Sequence, residues 1–223
     1  MTRLPRTDGE ATRARILQAA GTLIARNGFA ATTSKAIAAL AEVDLASINY
    51  HFDGRDGLHQ AALAEAHRHF IDEAELQALA DSDLSAPDKL RALLRQLVGK
   101  CASADAADWH GRALIRELGS PALHVLAMLQ GSVQAKARIV LGILSDITGI
   151  PPDDPALLRC GVSVIAPLVV LTLSTVGLPG PAQQVRDMPH EAIAEHMHRF
   201  ALAGLQAEGQ AWAAREKDAS LQV

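Results

Sequence analysis

The chain has 223 residues, of which 49% are hydrophobic and only 3% aromatic, and its formal net charge is −4 at pH 7. This length suits one small module beside a larger domain with a sizeable core, and the acidic balance excludes a protein that binds nucleic acids through general positive charge. Alanine and leucine are frequent and no alternating strand pattern appears, so we expect an all-α fold.

Cysteine and histidine spacing give no sign of an enzyme. Cys101 and Cys160 have neither metal-site nor redox spacing, and the N-terminal residues lack a signal-peptide pattern, so we expect reduced thiols in a cytoplasmic protein. The sequence contains no HExxH motif, glycine-rich phosphate loop or serine elbow. His190, His196 and His198 share one predicted helix, but His196 and His198 point to different faces of it. We therefore predict no catalysis, no cofactor and no metal.

Three helices are predicted at the N-terminus, and the second and third are short. The first follows a capping-box pattern at Thr7 and Glu10 and stops at Asn27–Gly28. The second begins after a threonine cap at position 32 or 33, and Asp44 can cap the third, from residue 45 to about residue 50. The predicted inward residues of the second helix are Ala36, Ile37 and Leu40. In the third helix Ile48 points inward, which leaves Ala46, Ser47 and Asn49 facing outward, as suits a helix that approaches base edges.

The segment from Thr12 to Leu63, and above all the phrase SINYHFDGRDGL, resembles the DNA-binding domain of the TetR family of transcriptional regulators. The chain departs from the family pattern in the turn, where Glu42 replaces the commonest residue, glycine, and Asp44 replaces serine. Since glycine there usually supplies a positive φ, we expect a slightly strained or differently shaped turn. The resemblance implies base contacts from Lys35, Ala46, Ser47 and Asn49, and phosphate contacts from Thr33, Tyr50, His51 and Arg55.

The residues themselves leave other roles open. Tyr50 could be a core aromatic, His51 a solvated helix-end residue, and Lys35 and Arg55 ordinary surface charges. Residues 1–60 carry seven Lys and Arg against six Asp and Glu. We therefore expect a single copy to bind DNA poorly and two copies to act together.

The rest of the chain is predicted to form further helices around proline and glycine breaks. We divide the chain into a DNA-binding domain, residues 1–55, and a helical effector-binding and dimerisation domain, residues 56–223. The predicted helices after the DNA-binding domain cover residues 56–79, 88–102, 105–118, 121–148 with a possible break near Gly131, 155–176 and 189–215.

Residues 161–177 are uncharged and apolar, but they are short for a membrane span, contain Pro167 and lack a basic anchor. We predict a core helix buried on more than one side and no membrane association. The TetR resemblance implies that this helix and the last one form a homodimer, which would present two recognition helices about one DNA turn apart to a palindromic operator.

The C-terminal part is similar to the CecR-like branch of the TetR family, through the Trp109 region, the segment LIRELGSPA and the apolar helix near the end. This similarity implies an effector-binding domain with no assignable ligand. Pockets of this kind are mostly apolar with a few convergent polar groups. The candidate lining residues are Trp109, Arg116, Glu117, His124, Met128, Ser163 and Thr172, although each also suits a core or surface role.

Together these features predict a ligand-responsive transcriptional regulator, a repressor by the family's default, that binds a double-stranded DNA operator and is released by a small molecule. Activation stays open as the direction of control. One alternative is a regulator without an effector, whose larger domain only dimerises or binds a protein. The other is a helical scaffold protein whose N-terminal module no longer reads DNA, which Glu42 and the small charge excess keep open.

Overall fold

A computed structural model describes residues 6–102, 108–118, 123–174 and 180–220, and within those ranges the chain forms helices and no strands. The all-α prediction is confirmed. The helices are α1 (Arg6–Asn27), α2 (Ser34–Ala41), α3 (Leu45–Phe52), α4 (Arg55–Phe70), α5 (Glu73–Ala80), α6 (Ala86–Ala102), α7 (His110–Leu118), α8 (Leu123–Thr148), α9 (Pro155–Ser174), α10 (Pro181–Arg186) and α11 (His190–Ser220).

The chain divides into two compact units. The first unit comprises Met1–Phe70 with Ala104–Leu129, and the second comprises Ile71–Ser103 with Gln130–Val223. This division follows the packing of the chain and does not test which residues bind DNA. The predicted functional boundary after residue 55 therefore stays a prediction.

In the first unit, α1 is the central helix and packs against α2, α4 and α7, while α3 packs against α2 and α4. The end of α1 lies where the sequence predicts it, because Gly28 has a φ of 77° and its N–H donates to the Ile24 carbonyl over 2.8 Å. The buried core of this unit is apolar and includes Ile16, Ala20, Ile24, Ile37, Ile48, Phe52, Leu58 and Trp109.

The inward face of α2 differs from the prediction. Ile37 is buried as expected, but Leu40 is 52% exposed and Ala36 is also exposed. Ala38 and Ala41 take their places in the core. The two alanines belong to the same buried cluster as residues of α1, whereas the larger Leu40 side chain faces solvent.

Several predicted element bounds need correction. The single helix predicted for residues 56–79 is two helices, because the Asp72 carboxylate accepts hydrogen bonds from the Ala74 and Glu75 N–H groups and starts α5. The helix α8 continues through Gly131 without a break. The short helix α10 was not predicted; it starts at Pro181 after Gly180, whose φ is 112°. The predicted start of α7 falls on residues 103–107, outside the described part of the chain.

In the second unit, α6 packs against α9 and α11, and α9 also packs against α10 and α11. The core side chains are again aliphatic and include Leu90, Leu93, Leu94, Leu97, Val98, Leu157, Val164 and Leu168. By length and composition Pro155–Thr172 could cross a membrane, but 39% of this stretch is already buried within the protein.

The helix α9 is buried on one side only in the single chain, so its predicted burial on more than one side requires a partner and stays a prediction. Leu158, Val162 and Val170 are 53%, 69% and 48% exposed, respectively. On α11, Phe200 is 77% exposed. An apolar surface thus remains uncovered on the two helices for which dimerisation is predicted.

Candidate nucleic-acid interface

Capping residues define both ends of α2 and the turn that leads from it to α3. The Thr33 hydroxyl accepts from the Ala36 N–H over 3.2 Å at the start of α2, which settles the choice between the two threonines. At the end of α2, Glu42 takes up a left-handed conformation with φ 55° and ψ 50°. Its N–H donates to the Ala39 carbonyl, and the Val43 N–H donates to that of Ala38. The turn therefore keeps the shape that glycine would favour, with a non-glycine residue in the strained conformation.

Asp44 fixes the first turn of α3, as predicted. Its Oδ1 accepts from the Ser47 N–H over 2.7 Å and from the Ser47 hydroxyl over 2.8 Å. These hydrogen bonds hold the pKa of the Asp44 carboxyl below its usual value. Because the ionised side chain lies at the positive end of the helix dipole, its charge also favours the helix.

The helix α3 has a buried and an exposed face. Ile48 is 1% exposed and Phe52 is 7% exposed, so these two side chains attach the helix to the core. Ala46 and Asn49 are exposed, Ser47 is half-buried, and Tyr50 is 85% exposed. The predicted orientation of α3 is confirmed, and a core role for Tyr50 is excluded. The base and phosphate contacts themselves remain predictions.

The other predicted DNA-contact residues on α2 and α3 are exposed or half-buried. Lys35 and Thr33 are exposed near the start of α2. His51 is half-buried and meets the Tyr50 ring edge to face, with centroids 5.0 Å apart. Arg13 of α1, which is not among these predicted residues, has its guanidinium 4.8 Å above the ring of the buried Phe52. The side chains of Thr33, Lys35 and His51 are thus accessible at least in part, and their phosphate or base contacts stay predictions.

Arg55 has an internal role that the sequence did not reveal. Its Nε donates to the Thr32 carbonyl over 3.1 Å, and its Nη2 donates to the Phe29 carbonyl over 2.6 Å. Its guanidinium also lies 4.2 Å above the Phe29 ring. These contacts hold the start of α4 against the loop before α2, and the phosphate contact expected of Arg55 stays a prediction.

Three of the predicted pocket residues belong to the first unit and already have partners in the protein. The buried Trp109 indole donates to the Gln18 side chain over 2.8 Å. Arg116 donates to the Arg26 carbonyl over 3.0 Å, and Glu117 Oε2 lies 3.2 Å from His59 Nε2. These contacts give all three residues a structural role in joining α7 to α1 and α4.

The remaining pocket candidates are Ser163 and Thr172 in the second unit, and His124 and Met128, whose side chains lie outside the described part of the chain. The Ser163 hydroxyl is exposed and donates to the Arg159 carbonyl. The Thr172 hydroxyl is buried and donates to the Leu168 carbonyl. Because the seven candidates are spread over two units, a single pocket lined by all of them stays a prediction.

His59 is a further residue of interest that the sequence gave no reason to single out. It is 2% exposed on α4, and its ring stacks on Phe29 with centroids 3.7 Å apart. Through Phe29 and Glu117, His59 connects three parts of the first unit, namely the loop after α1, the helix α4 and the helix α7. No local pattern could reveal this contact, because Glu117 lies 58 positions further along the chain.

A capped, exposed recognition helix on a three-helix core, followed by a larger helical domain, defines a helix-turn-helix transcriptional regulator. Residues 16–62 match the model of the bacterial regulatory proteins of the TetR family. Residues 86–207 match the model of the C-terminal domain of the HTH-type transcriptional dual regulator CecR. The chain therefore belongs to the TetR family of transcriptional regulators, with a C-terminal domain of the CecR type. Members of this family generally bind DNA and respond to ligands.

Solved structures of TetR-type regulators have a similar fold. A TetR-like transcriptional regulator from Rhodococcus sp. RHA1 is 20% identical with a TM-score of 0.69, over 91% of this chain and 98% of that chain. FadR from Bacillus subtilis, solved with stearoyl-CoA, is 16% identical with a TM-score of 0.67, over 86% and 98%. A TetR-family regulator from Streptomyces coelicolor is 20% identical with a TM-score of 0.66, over 88% and 97%. Among curated proteins, no relative matches this sequence.

Proposed function

We propose that this protein is a cytoplasmic, ligand-responsive repressor that binds a palindromic operator as a homodimer. A small-molecule effector releases the protein from DNA, and the protein itself has no catalytic activity. The observation that carries this proposal is the exposed face of α3. Asn49 and Tyr50 are exposed to solvent while Ile48 and Phe52 fix the helix to the core. A small, polar recognition surface on a rigid support is what reading base edges in the major groove requires.

The exposed apolar surface of α9 and α11 supports the homodimer. Val162 on α9 and Phe200 on α11 are both largely exposed, and a groove of about 650 Å³ lies between these helices. Cys160, Pro167 and Met197 contribute to its lining. Soluble monomers rarely leave large apolar patches uncovered, and a two-fold interface covers the same patch on both copies. We therefore assign this surface to a second copy of the chain.

The helix α4 is the element proposed to transmit the effector signal. At its start, a side chain at Gly57 would overlap the Phe52 carbonyl oxygen, so α4 lies directly against the end of α3. Further along, His59 joins α4 to Glu117 on α7. An effector that binds one conformation of α4 and α7 more tightly than another would change the position of α3 through these contacts.

The effector is proposed to be a small molecule, and its identity can be approached by a screen. Stearoyl-CoA is a reasonable first compound, since it is the ligand in the FadR complex with a similar fold. A rise in melting temperature on addition of a compound would support an effector-binding domain, because a ligand that binds only the folded state stabilises it. A regulator without an effector would show no such rise in melting temperature with any compound of the screen.

Footprinting of the purified protein on genomic fragments, followed by a reporter assay with the recovered site, tests the proposed function. We expect protection of a two-fold symmetric site and lower reporter expression when the protein is present. Higher expression would make the protein an activator and contradict repression. If a confirmed dimer protected no site in the whole genomic library, the proposal of an operator-binding regulator would be wrong, and the scaffold alternative would take its place.

A further inference from the structure

Two histidines and an aspartate converge where α4 ends and α7 begins. His69 lies in the last turn of α4, Asp108 precedes α7, and His110 is its first residue. One donor atom from each of the three side chains lies within 4.8 Å of the other two, and all three residues belong to the first unit. Within the described residues, this is a group whose ligand types and spacing suit a metal ion.

The chemistry of these donors selects the kind of metal. Two imidazole nitrogens and one carboxylate oxygen form a set that zinc accepts at open sites, where water takes the fourth position. Magnesium and calcium prefer sites made of oxygen ligands, so the two histidines argue against them. We propose that His69, Asp108 and His110 bind a divalent transition-metal ion of the zinc class.

Two of the three ligands are held in place by the surrounding structure. The side chains of His110 and Asp108 are only 12% and 27% exposed, and His110 Nδ1 lies 3.1 Å from Asp108 Oδ1. The ring of Trp109 stacks on that of His110, with centroids 4.1 Å apart. Since Trp109 is itself buried and bonded to Gln18, this pair of ligands loses little conformational entropy on binding.

His69 supplies the adjustable ligand. It is exposed, and its ring stacks on that of His110 with centroids 4.0 Å apart. Ligands about 2.1 Å from a tetrahedral zinc ion are about 3.4 Å from each other, so donor atoms within 4.8 Å need to come closer by at most about 1.4 Å. A turn of the His69 side chain provides this movement, and its exposure gives the ion a path from solvent.

The site would connect two helices that matter for DNA binding. The helix α4 starts beside α3, and the site lies at its other end, where a bound ion would fix α4 to the start of α7. We infer that the metal changes the affinity of the protein for DNA. This second step rests on the proposed function, whereas the metal site rests on its ligands alone.

Calorimetric titration of the chelator-treated, full-length protein with zinc chloride tests the site. We expect one ion per chain in the wild type and in His190→Ala, which removes the exposed histidine at the start of α11. His69→Gln and His110→Ala should weaken binding by about 100-fold or more, since even the loss of an outer-shell partner costs 10- to 100-fold in related sites. Zinc should also raise the melting temperature of the wild type and of His190→Ala but not of the two site variants.

Several outcomes would overturn the proposal. Absence of saturable binding by the wild type would do so, as would equal binding by all four proteins, which indicates only general attraction of zinc to surface histidines. Because His69 is exposed, His69→Gln should fold normally, and circular dichroism checks this. Substitution with cobalt gives an independent readout, since tetrahedral coordination produces strong visible absorption that an octahedral, loosely bound ion lacks.

A separate titration of labelled operator DNA, with and without zinc, tests the regulatory step. A change in DNA affinity in the wild type that is absent in His69→Gln would support it. If zinc binds with the expected stoichiometry but leaves DNA affinity unchanged, the regulatory step is wrong and the metal site stands. If no operator exists, the proposed function fails and the calorimetric result is unaffected.

Discussion

Asp44 shows how one side chain can determine the start of the recognition helix. Its carboxylate accepts two hydrogen bonds from Ser47, one from the backbone and one from the hydroxyl. Both bonds favour the ionised form, which is why the pKa of this exposed group is lowered from 3.8. The folded protein therefore holds the ionised carboxylate more strongly than the unfolded chain does.

This lowered pKa predicts a pH-dependent stability of the recognition helix. The contribution of Asp44 is complete above its unfolded pKa of 3.8 and is lost as the pH falls through the lower, folded pKa. Asp44→Asn keeps an acceptor for the Ser47 N–H but does not titrate. We expect the wild type to exceed this variant in melting temperature at about pH 6, with the difference shrinking towards about pH 3. Ser47→Ala should reduce the same dependence, and a difference that stays constant across this range would contradict the account.

Some residues of the candidate interface could be placed from the sequence, and others could not. The cap at Asp44, the buried Ile48 and the outward Asn49 follow from helix periodicity and capping preferences, and the structure confirms their placement. The internal contacts of Arg55 and His59 could not be predicted, because they join residues far apart in the chain. From the sequence alone, a charged residue next to a predicted recognition helix suggests a phosphate contact, and the hydrogen bonds from Arg55 to carbonyl oxygens are seen only in the structure.

At the scale of elements, the packing of α1 against α7 depends on a residue without a side chain. A Cβ added at Gly21 would overlap the ring of Trp109, which is 1% exposed between these helices. The indole reaches this position because its N–H bonds to Gln18, three residues before Gly21. The contact therefore depends on two residues of α1 and on Trp109, which directly precedes α7.

We predict that Gly21→Ala destabilises the protein by about 1–3 kcal/mol, since a rigid, buried ring cannot move aside without strain. Gly99→Ala is the matched control, because Gly99 lies within α6 and has open space at its Cβ position. In the control, alanine should be neutral or stabilising by about 0.5–1 kcal/mol, as is usual inside helices. Chemical denaturation followed by circular dichroism measures both values, and equal stability of the two variants would rule out the predicted contact.

The boundaries of elements illustrate a second limit of sequence-based prediction. Helix existence was predictable from apolar periodicity, and α6, α8 and α11 lie close to their expected places. The break between α4 and α5 was not predicted, because Asp72 interrupts a sequence that otherwise has continuous helical character. The inward face of α2 was misjudged because alanine suits either side of a helix, and only the packing against α1 decides.

At the scale of the whole molecule, we expect the proposed dimerisation through α9 and α11 to be required for high DNA affinity. The N-terminal 60 residues have almost balanced charge, so one copy gains little from general attraction to phosphates. Two linked recognition helices gain affinity through their high effective concentration at adjacent half-sites. Loss of the dimer should therefore weaken DNA binding even when the fold of each copy is intact.

We predict that Val162→Asp and Phe200→Asp each produce a folded monomer, because a charge placed at these exposed positions would be buried without a partner in the dimer. Leu84→Asp serves as the control, since Leu84 is 48% exposed in the loop between α5 and α6. Analytical ultracentrifugation distinguishes the species. If Val162→Asp and Phe200→Asp both sedimented as dimers, the interface would lie elsewhere.

The central claim, that the exposed face of α3 reads a specific DNA sequence, is tested most directly by a gel shift. Wild type and an Asn49→Ala, Tyr50→Ala double variant are compared on DNA from around the protein's own gene and on fragments selected by the protein, at fixed salt with excess nonspecific DNA. Because both side chains are exposed, the variant should keep the wild-type melting temperature and dimeric state. We predict a sequence-specific shift by the wild type that the double variant loses, and an equal shift by both proteins would contradict the claim.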